Sequence, residues 1–345
     1  MTPRLALILG DPAGIGPEIM SKLLAEEANR ARAALLLVGD GAVLEEGMRI
    51  AGARFEVTRV NDPSLAEPGK VALWEVPAEA PIPRAEPSAA GGRHALATLR
   101  ACLGLAQTGV VDGICFAPLN KSALHMAGMG HPDELHWMAE VLRHTGPTSE
   151  FNVLDGLWTC RVTSHVALKE VAALITEARI LETIALIRDA LVQAGVSRPR
   201  IAVCGLNPHN GDNGAFGREE IEVIGPAVAK ARAMGLPAEG PYPADTIFLR
   251  AQPQPDGSRE VDAVVTMYHD QGQIALKLMG FWRGVTVAGG LPVPVTTCAH
   301  GTGFDIQGRG VARVGALQAA FDLACAMGAR SAAAERRSVN GRPPS

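Results

Sequence analysis

Short apolar runs that alternate with amphipathic stretches constrain this chain more than any other feature. Residues 4–9 (RLALIL), 34–38 (ALLLV), 110–116 (VVDGICF), 201–205 (IAVCG), 261–266 (VDAVVT) and 285–289 (VTVAG) read as strands buried on both faces. Between them, 17–29, 93–107, 133–144, 177–194, 218–234 and 312–328 carry apolar residues at helical spacing. Strands that alternate with helices predict an α/β fold with a mostly parallel sheet, because each parallel crossover needs a covering helix. Ligands then bind beyond the carboxyl ends of the strands. Residues 77–92 (PAEAPIPRAEPSAAGG) read as a surface connection and 252–260 as a loop.

With 345 residues there is room for two lobes. A net charge of −4 and only 4% aromatic residues argue against a nucleic-acid or membrane-surface partner. The N-terminal apolar run LALILG is too short for a signal segment or a membrane span and reads as a first strand. Six scattered cysteines include no CxxC pair, which disfavours a thiolate metal site and suits a reduced, cytoplasmic setting; Cys115 and Cys204 read as core residues.

Chemistry-bearing residues gather after the apolar runs. His165 (TSHVAL), His209 (NPHNGD) and His269 (YHDQG) each follow a strand and enter a polar turn. Three imidazoles from separate strand ends can close on one divalent ion and leave positions open for substrate. Each histidine alone is more often a hydrogen-bonding turn residue than a ligand. HGTGFDIQGRGVA (300–312) reads as a nucleotide-binding loop or as a Gly-rich connector, and no GxGxxG follows the first strand. GDPAGIGPEI (10–19) reads as a tight strand-to-helix turn and a possible anion site. Lys121 and Lys277 are isolated cations that suit either substrate binding or an exposed role.

GDPAGIGPE, APLNK, TSHVAL, NPHNGDNGAFG, PADTIF, YHDQG and HGTGFDIQG occur in this order along nearly the whole chain. Together they resemble the 4-hydroxythreonine-4-phosphate dehydrogenase family. The resemblance implies an isocitrate/isopropylmalate dehydrogenase-like, two-lobed fold with the site in a cleft. The expected lobes are 1–130 plus 271–330, and 131–270, with a flexible tail at 331–345. It implies a homodimer whose site lies at the subunit interface, with one metal ligand supplied by the partner. His165, His209 and His269 would hold the divalent ion, zinc being favoured and cobalt, magnesium or iron admissible. NAD or NADP would lie against Gly290, His300, Gly301, Thr302 and Asp305. His131, Lys277 and Asp245 would serve catalysis, and His131, Pro132, Lys277, Thr286 and Val295 would line the substrate. The implied reaction is oxidation of a β-hydroxy acid followed by loss of CO₂.

Three positions depart from the family pattern: Pro132 where the family has threonine, Thr286 where it has asparagine, and Val295 where it has arginine. Losing an arginine removes a bidentate phosphate ligand. The main expectation is therefore a terephthalate-type cis-dihydrodiol carboxylate as substrate, giving protocatechuate, with Trp137 and Trp282 near the cleft motifs, Trp282 to meet a ring and Trp137 read first as a helix-core residue. The alternative is 4-phosphohydroxy-L-threonine or a related phosphorylated sugar acid, with Lys121 or Arg283 as the replacement cation. A metal-dependent lyase without nicotinamide is the alternative of another class.

Overall fold

The computed structural model describes residues 2–340. The chain divides into two compact units, residues 1–146 with 285–345, and 147–284. The expected lobe limits fall inside these units. Residues 131–146 join the first, where the helix Glu134–Val141 packs on the helix Ala89–Gln107. Residues 271–284 join the second, where the helix His269–Gly280 packs on strands of that unit. Residues 331–340 continue the helix Gly315–Asn340, and the rest of the expected tail lies outside the described residues.

The first unit opens with β1 (Arg4–Ile8), β2 (Ala34–Gly39), β3 (Val57–Arg59), β4 (Val71–Glu75) and β5 (Gly113–Phe116). The second holds β6 (Ser149–Leu154), β7 (Leu157–Arg161), β8 (Ile201–Cys204), β9 (Ala238–Tyr242) and β10 (Ala263–Thr266). The chain then returns to the first with β11 (Val285–Gly289) and β12 (Val295–Cys298). The first unit orders its strands β3-β4-β2-β1-β5-β12-β11, parallel except for β11 against β12. The second orders them β6-β7-β10-β8-β9, parallel except for β6 against β7. The α/β class and the mostly parallel sheet follow the sequence expectation.

All six expected strands form. Five of them are buried along all or nearly all their length, as continuous Val, Ile and Leu runs covered by helices must be. β11 differs, since Thr286 and Ala288 are only half-buried. The helix Glu177–Ala194 takes the expected limits, with the Thr176 hydroxyl capping Arg179 N at one end and Gly195 closing the other. The segment YHDQG, expected to enter a polar turn, opens a helix instead. Tyr268 precedes a full helix, His269–Gly280, and Gly272 lies inside it. Among the described residues no helix is long and apolar enough to cross a membrane.

Candidate metal and active site

The second unit builds its candidate site from three neighbouring parallel strands. β10 lies between β7 and β8, with Arg161 opposite Thr266 and Val203 opposite Val265. Pairing continues past the strand ends: Val162 N donates to Thr266 O (2.9 Å), and Thr163 donates from both N (3.1 Å) and Oγ1 (2.8 Å) to Met267 O. This brings the segments bearing His165 and His269 side by side, and their ring centroids lie 5.9 Å apart, tilted by 41°. His269 stands at the first position of its helix, with Nδ1 2.7 Å from Asp270 Oδ1. A carboxylate on one ring nitrogen fixes the tautomer and leaves the other nitrogen for a ligand.

β8 delivers the third imidazole through residues 207–214. His209, Asn210, Asp212 and Asn213 all take left-handed φ, between 43° and 56°. A run of non-glycine residues in that region costs of order 1–3 kcal/mol each and persists only where the surroundings hold it. Glu220 is the holder: 5% exposed, it accepts from Leu206 N and Asn207 N (2.7 Å each) and from Asn207 Nδ2 (2.9 Å). At Gly211 (φ 76°) a Cβ would meet Gly217 O at 2.7 Å, so only glycine fits. Asn210 Nδ2 donates to Pro241 O (2.8 Å), and Gln271 Nε2 donates to Gly205 O (3.0 Å), tying the His269 helix to β8. Glu220 and Gln271 were not singled out from sequence. A carboxylate and an amide in ordinary helical surroundings carry no local signal.

All three expected ligands therefore stand beyond the carboxyl ends of adjacent strands, and two meet. Within the described residues of one chain, no group of three His, Cys, Asp or Glu side chains is placed to hold a metal. His165 and His209 are exposed, and His269 partly so. The donor chemistry fits a borderline divalent ion, with two imidazoles side by side and no thiolate near them among the described residues. All six cysteines are free and buried, and burial pushes thiols such as Cys115 up to about 12. Lys277 is exposed two turns beyond His269 and makes no ion pair among the described residues. Asp245 is exposed in the turn after β9.

The first unit holds the remaining candidates. Gly290 (φ 86°) turns the chain between β11 and β12. His131 contacts Glu140 through Nε2, and Pro132 beside it is exposed. His300 Nδ1 lies 3.0 Å from Gly301 O, Thr302 is 7% exposed, and Asp305 is exposed in a short turn. The two Gly-rich motifs dock on each other: Ile15 N donates to Thr302 O (2.9 Å), and Asn120 Nδ2 reaches Thr302 Oγ1 (3.4 Å). Glu18 accepts from Lys22 Nζ (2.7 Å) and Ala312 N (2.8 Å), while Lys22 also donates to Gly310 O and Ala312 O. The first turn of the helix Gly16–Ala25 thus carries a buried carboxylate, Glu18, tied to Lys22 and to the chain at Ala312.

Two substrate expectations change, at Val295 and at Arg283. Val295 is 1% exposed and packs with Ile114, Phe116 and Val293 in the core. Its apolar character answers to packing, which removes the premise for an aromatic diol pocket. Arg283 is held by Asp155 at 2.8–3.2 Å and is not a free replacement cation. Trp137 is a core residue under Arg100, and Trp282 is exposed against Phe281.

What this geometry defines is an α/β protein whose candidate metal ligands stand beyond the carboxyl ends of neighbouring parallel strands. Residues 31–324 match the family model described as pyridoxal phosphate biosynthetic protein PdxA, and the chain belongs to that family. It is 58% identical, over 96% of its length and 98% of the other's, to a Pseudomonas aeruginosa protein named "Putative 4-hydroxythreonine-4-phosphate dehydrogenase 2". It is 38% identical to the D-threonate 4-phosphate dehydrogenase of Salmonella typhimurium, over 94% of this chain and 98% of that one. The crystal structure of 4-hydroxythreonine-4-phosphate dehydrogenase from Klebsiella pneumoniae superimposes with a TM-score of 0.82 at 37% identity, covering 95% and 98% of the two chains. A terephthalate 1,2-cis-dihydrodiol dehydrogenase from Burkholderia xenovorans is more distant, at 0.66 and 28%, covering 94% and 98%. The expected dihydrodiol substrate is overturned by this ordering, in favour of the alternative.

Proposed function

We propose that the protein is an NAD(P)-dependent oxidoreductase that oxidises the free hydroxyl of a phosphorylated hydroxy acid, 4-phosphohydroxy-L-threonine or its analogue D-threonate 4-phosphate. The observation that carries this reading is the set of three histidines beyond the ends of β7, β10 and β8, in a chain of this family. His165, His209 and His269 are the residues to hold a divalent ion, which supplies Lewis-acid polarisation of the hydroxyl oxygen. NAD(P) supplies the hydride acceptor, for which Gly290, His300, Gly301, Thr302 and Asp305 are the candidate contacts. The isocitrate dehydrogenase-like reading of the fold rests on that HGTGFDIQG segment. Asp270 orients the His269 ring. Lys277 is a positive charge for the anionic end of substrate and can return a proton to carbon after CO₂ leaves the β-keto acid. His131, oriented by Glu140, is a second hydrogen-bonding partner for substrate. Thr286 and Asp245 complete the candidate set, and the exposed Lys121 and Lys277 are the cations for the phosphate.

A second copy of the chain is the proposed partner. Ile274 and Leu278, 57% and 84% exposed, share one face of the helix His269–Gly280, and Phe281 and Trp282, 41% and 56% exposed, follow its end. That face lies on the helix carrying His269 and Lys277, which supports a ligand supplied across a dimer interface. Six reduced cysteines support a cytoplasmic setting.

The test is reduction of NAD⁺ and NADP⁺ by enzyme reconstituted with Zn²⁺, Co²⁺ or Mg²⁺, with both phosphorylated acids assayed side by side. Metal-dependent turnover of either supports the reading and names the substrate. Inactivity on both, with no binding of NAD(H), points to a lyase that uses the histidines without nicotinamide.

A further inference from the structure

Arg161 ends β7, four residues before His165, and its side chain is only 5% exposed. A guanidinium cannot shed its charge, so burying one requires that its donors be met. Nε donates to Ser164 Oγ (2.8 Å), Nη1 to Asn152 Oδ1 (2.9 Å) and Nη2 to Glu150 Oε1 (3.1 Å). Asn152, 6% exposed on β6, accepts a second bond at the same oxygen from Gln273 Nε2. Gln273 lies one helical turn after His269 and one before Lys277, so these three share a face.

The connections form a chain. On one side the guanidinium holds Ser164, the neighbour of His165. On the other, through Asn152, it holds the helix face that presents His269 and Lys277. A buried cation with one half-exposed carboxylate partner is a costly way to fill a core, and an apolar side chain there is often as stable. Its geometric specificity is what an apolar side chain does not supply.

We propose that Arg161, with Asn152 and Gln273, is a positioning residue that locks the His165 loop in register with the helix face carrying His269 and Lys277. The proposal deepens the reading of these residues as a metal and substrate site, and rests on it for its functional meaning. Arg161 touches neither imagined ligand; it acts through the segments that do.

Three single variants of the full-length protein test this: Arg161→Met, Arg161→Lys and Gln273→Met. Two measurements are made on each. Amide hydrogen exchange of residues 163–167 and 268–273 reads the lock without any ligand. Titration with Co²⁺, followed by its visible absorption, reads the imidazole site without turnover. In Arg161→Met, exchange should rise at least about tenfold in both segments while the core strands stay protected, and Co²⁺ affinity should fall about 10–100-fold, as for loss of an outer-shell support. Gln273→Met should loosen 163–167, which it does not touch, and Arg161→Lys should restore part of both signals. Unchanged exchange in 163–167 on Gln273→Met overturns the lock. So does a rise spread over the whole unit that Arg161→Lys fails to reduce, since that is a stability role. If wild-type protein shows no Co²⁺ spectrum, the metal reading fails, and the exchange data still decide the positioning.

Discussion

The two Gly-rich strand-to-helix turns of the first unit and the three strand ends of the second use similar residues to opposite ends. In the first, many polar groups are consumed internally: Glu18 accepts from Lys22 Nζ and Ala312 N, Thr302 O accepts from Ile15 N, and Asp11 N donates to Pro118 O. Gly10 (φ 78°) allows the close approach, because a Cβ there would meet Ala117 O at 2.6 Å. In the second, the scaffold polar groups are satisfied below the surface by Glu220, Arg161 and Gln271, while His165, His209 and Lys277 stand exposed. A motif rich in glycine and charge is therefore evidence of close packing as readily as of a ligand. Left-handed backbone around side chains held outward is the better sign of a site.

The largest effect should come from the exposed side of that comparison. His269→Ala is expected to lower metal-dependent turnover on the order of 10³-fold or more, worth several kcal/mol of barrier. The thermal midpoint should hardly move, because the side chain is 40% exposed and its loss opens no cavity. Wild-type turnover in this variant would falsify the ligand assignment. Val295→Arg should do the reverse. It buries a charge beside Ile114 in a site that is 1% exposed, so it should cost about 3–5 kcal/mol or prevent folding. A stable variant with improved use of phosphorylated acids would place Val295 at the substrate after all.

Lys22→Met probes the consumed side more gently. It leaves the 2% exposed Glu18 carboxylate with only the Ala312 amide, and should cost about 2–3 kcal/mol in urea unfolding. KM for the phosphorylated acid should stay within about twofold, a change of under about 0.5 kcal/mol. A selective rise in KM for the nicotinamide would show instead that the strap shapes the cofactor site.

Legibility from sequence followed the same divide. β1, β2, β5, β8 and β10 were readable because burial on both faces leaves an unbroken apolar run. β6, β7 and β9 were not, since SEFNVL, LWTCR and AEGPY mix polar and apolar residues without a clean period. The reason lies in the structure: Asn152 and Arg161 point into the buried network that a binary pattern scores as surface. His165, His209 and His269 were legible as strand-end residues, but the adjacency of β7, β10 and β8 was not, because strand order is not written in any local window. The helix Gly41–Ala51 was missed as well, although Asp40 caps it and Gly52 closes it. The valine at 295 misled for a simpler reason. An apolar residue where a charge is expected reads equally well as a changed pocket or as a core position.

The smallest effect separates one histidine from the other three. His94, on the helix Ala89–Gln107, is 6% exposed and its Nδ1 has no hydrogen-bond partner. Burial holds its pKa below the usual imidazole value, with the Asp40 charge only partly opposing this. The unfolded chain then binds more protons than the folded one as pH falls below about 6.5. Stability contributed by the neutral ring is present above that pH and is lost on acidification toward the folded-state pKa. Wild-type protein should therefore lose several degrees of thermal midpoint between about pH 7.5 and pH 5.5, and His94→Met should lose less, having nothing there to protonate. Equal pH slopes for wild type and His94→Met would mean that acid sensitivity arises elsewhere than at this buried ring.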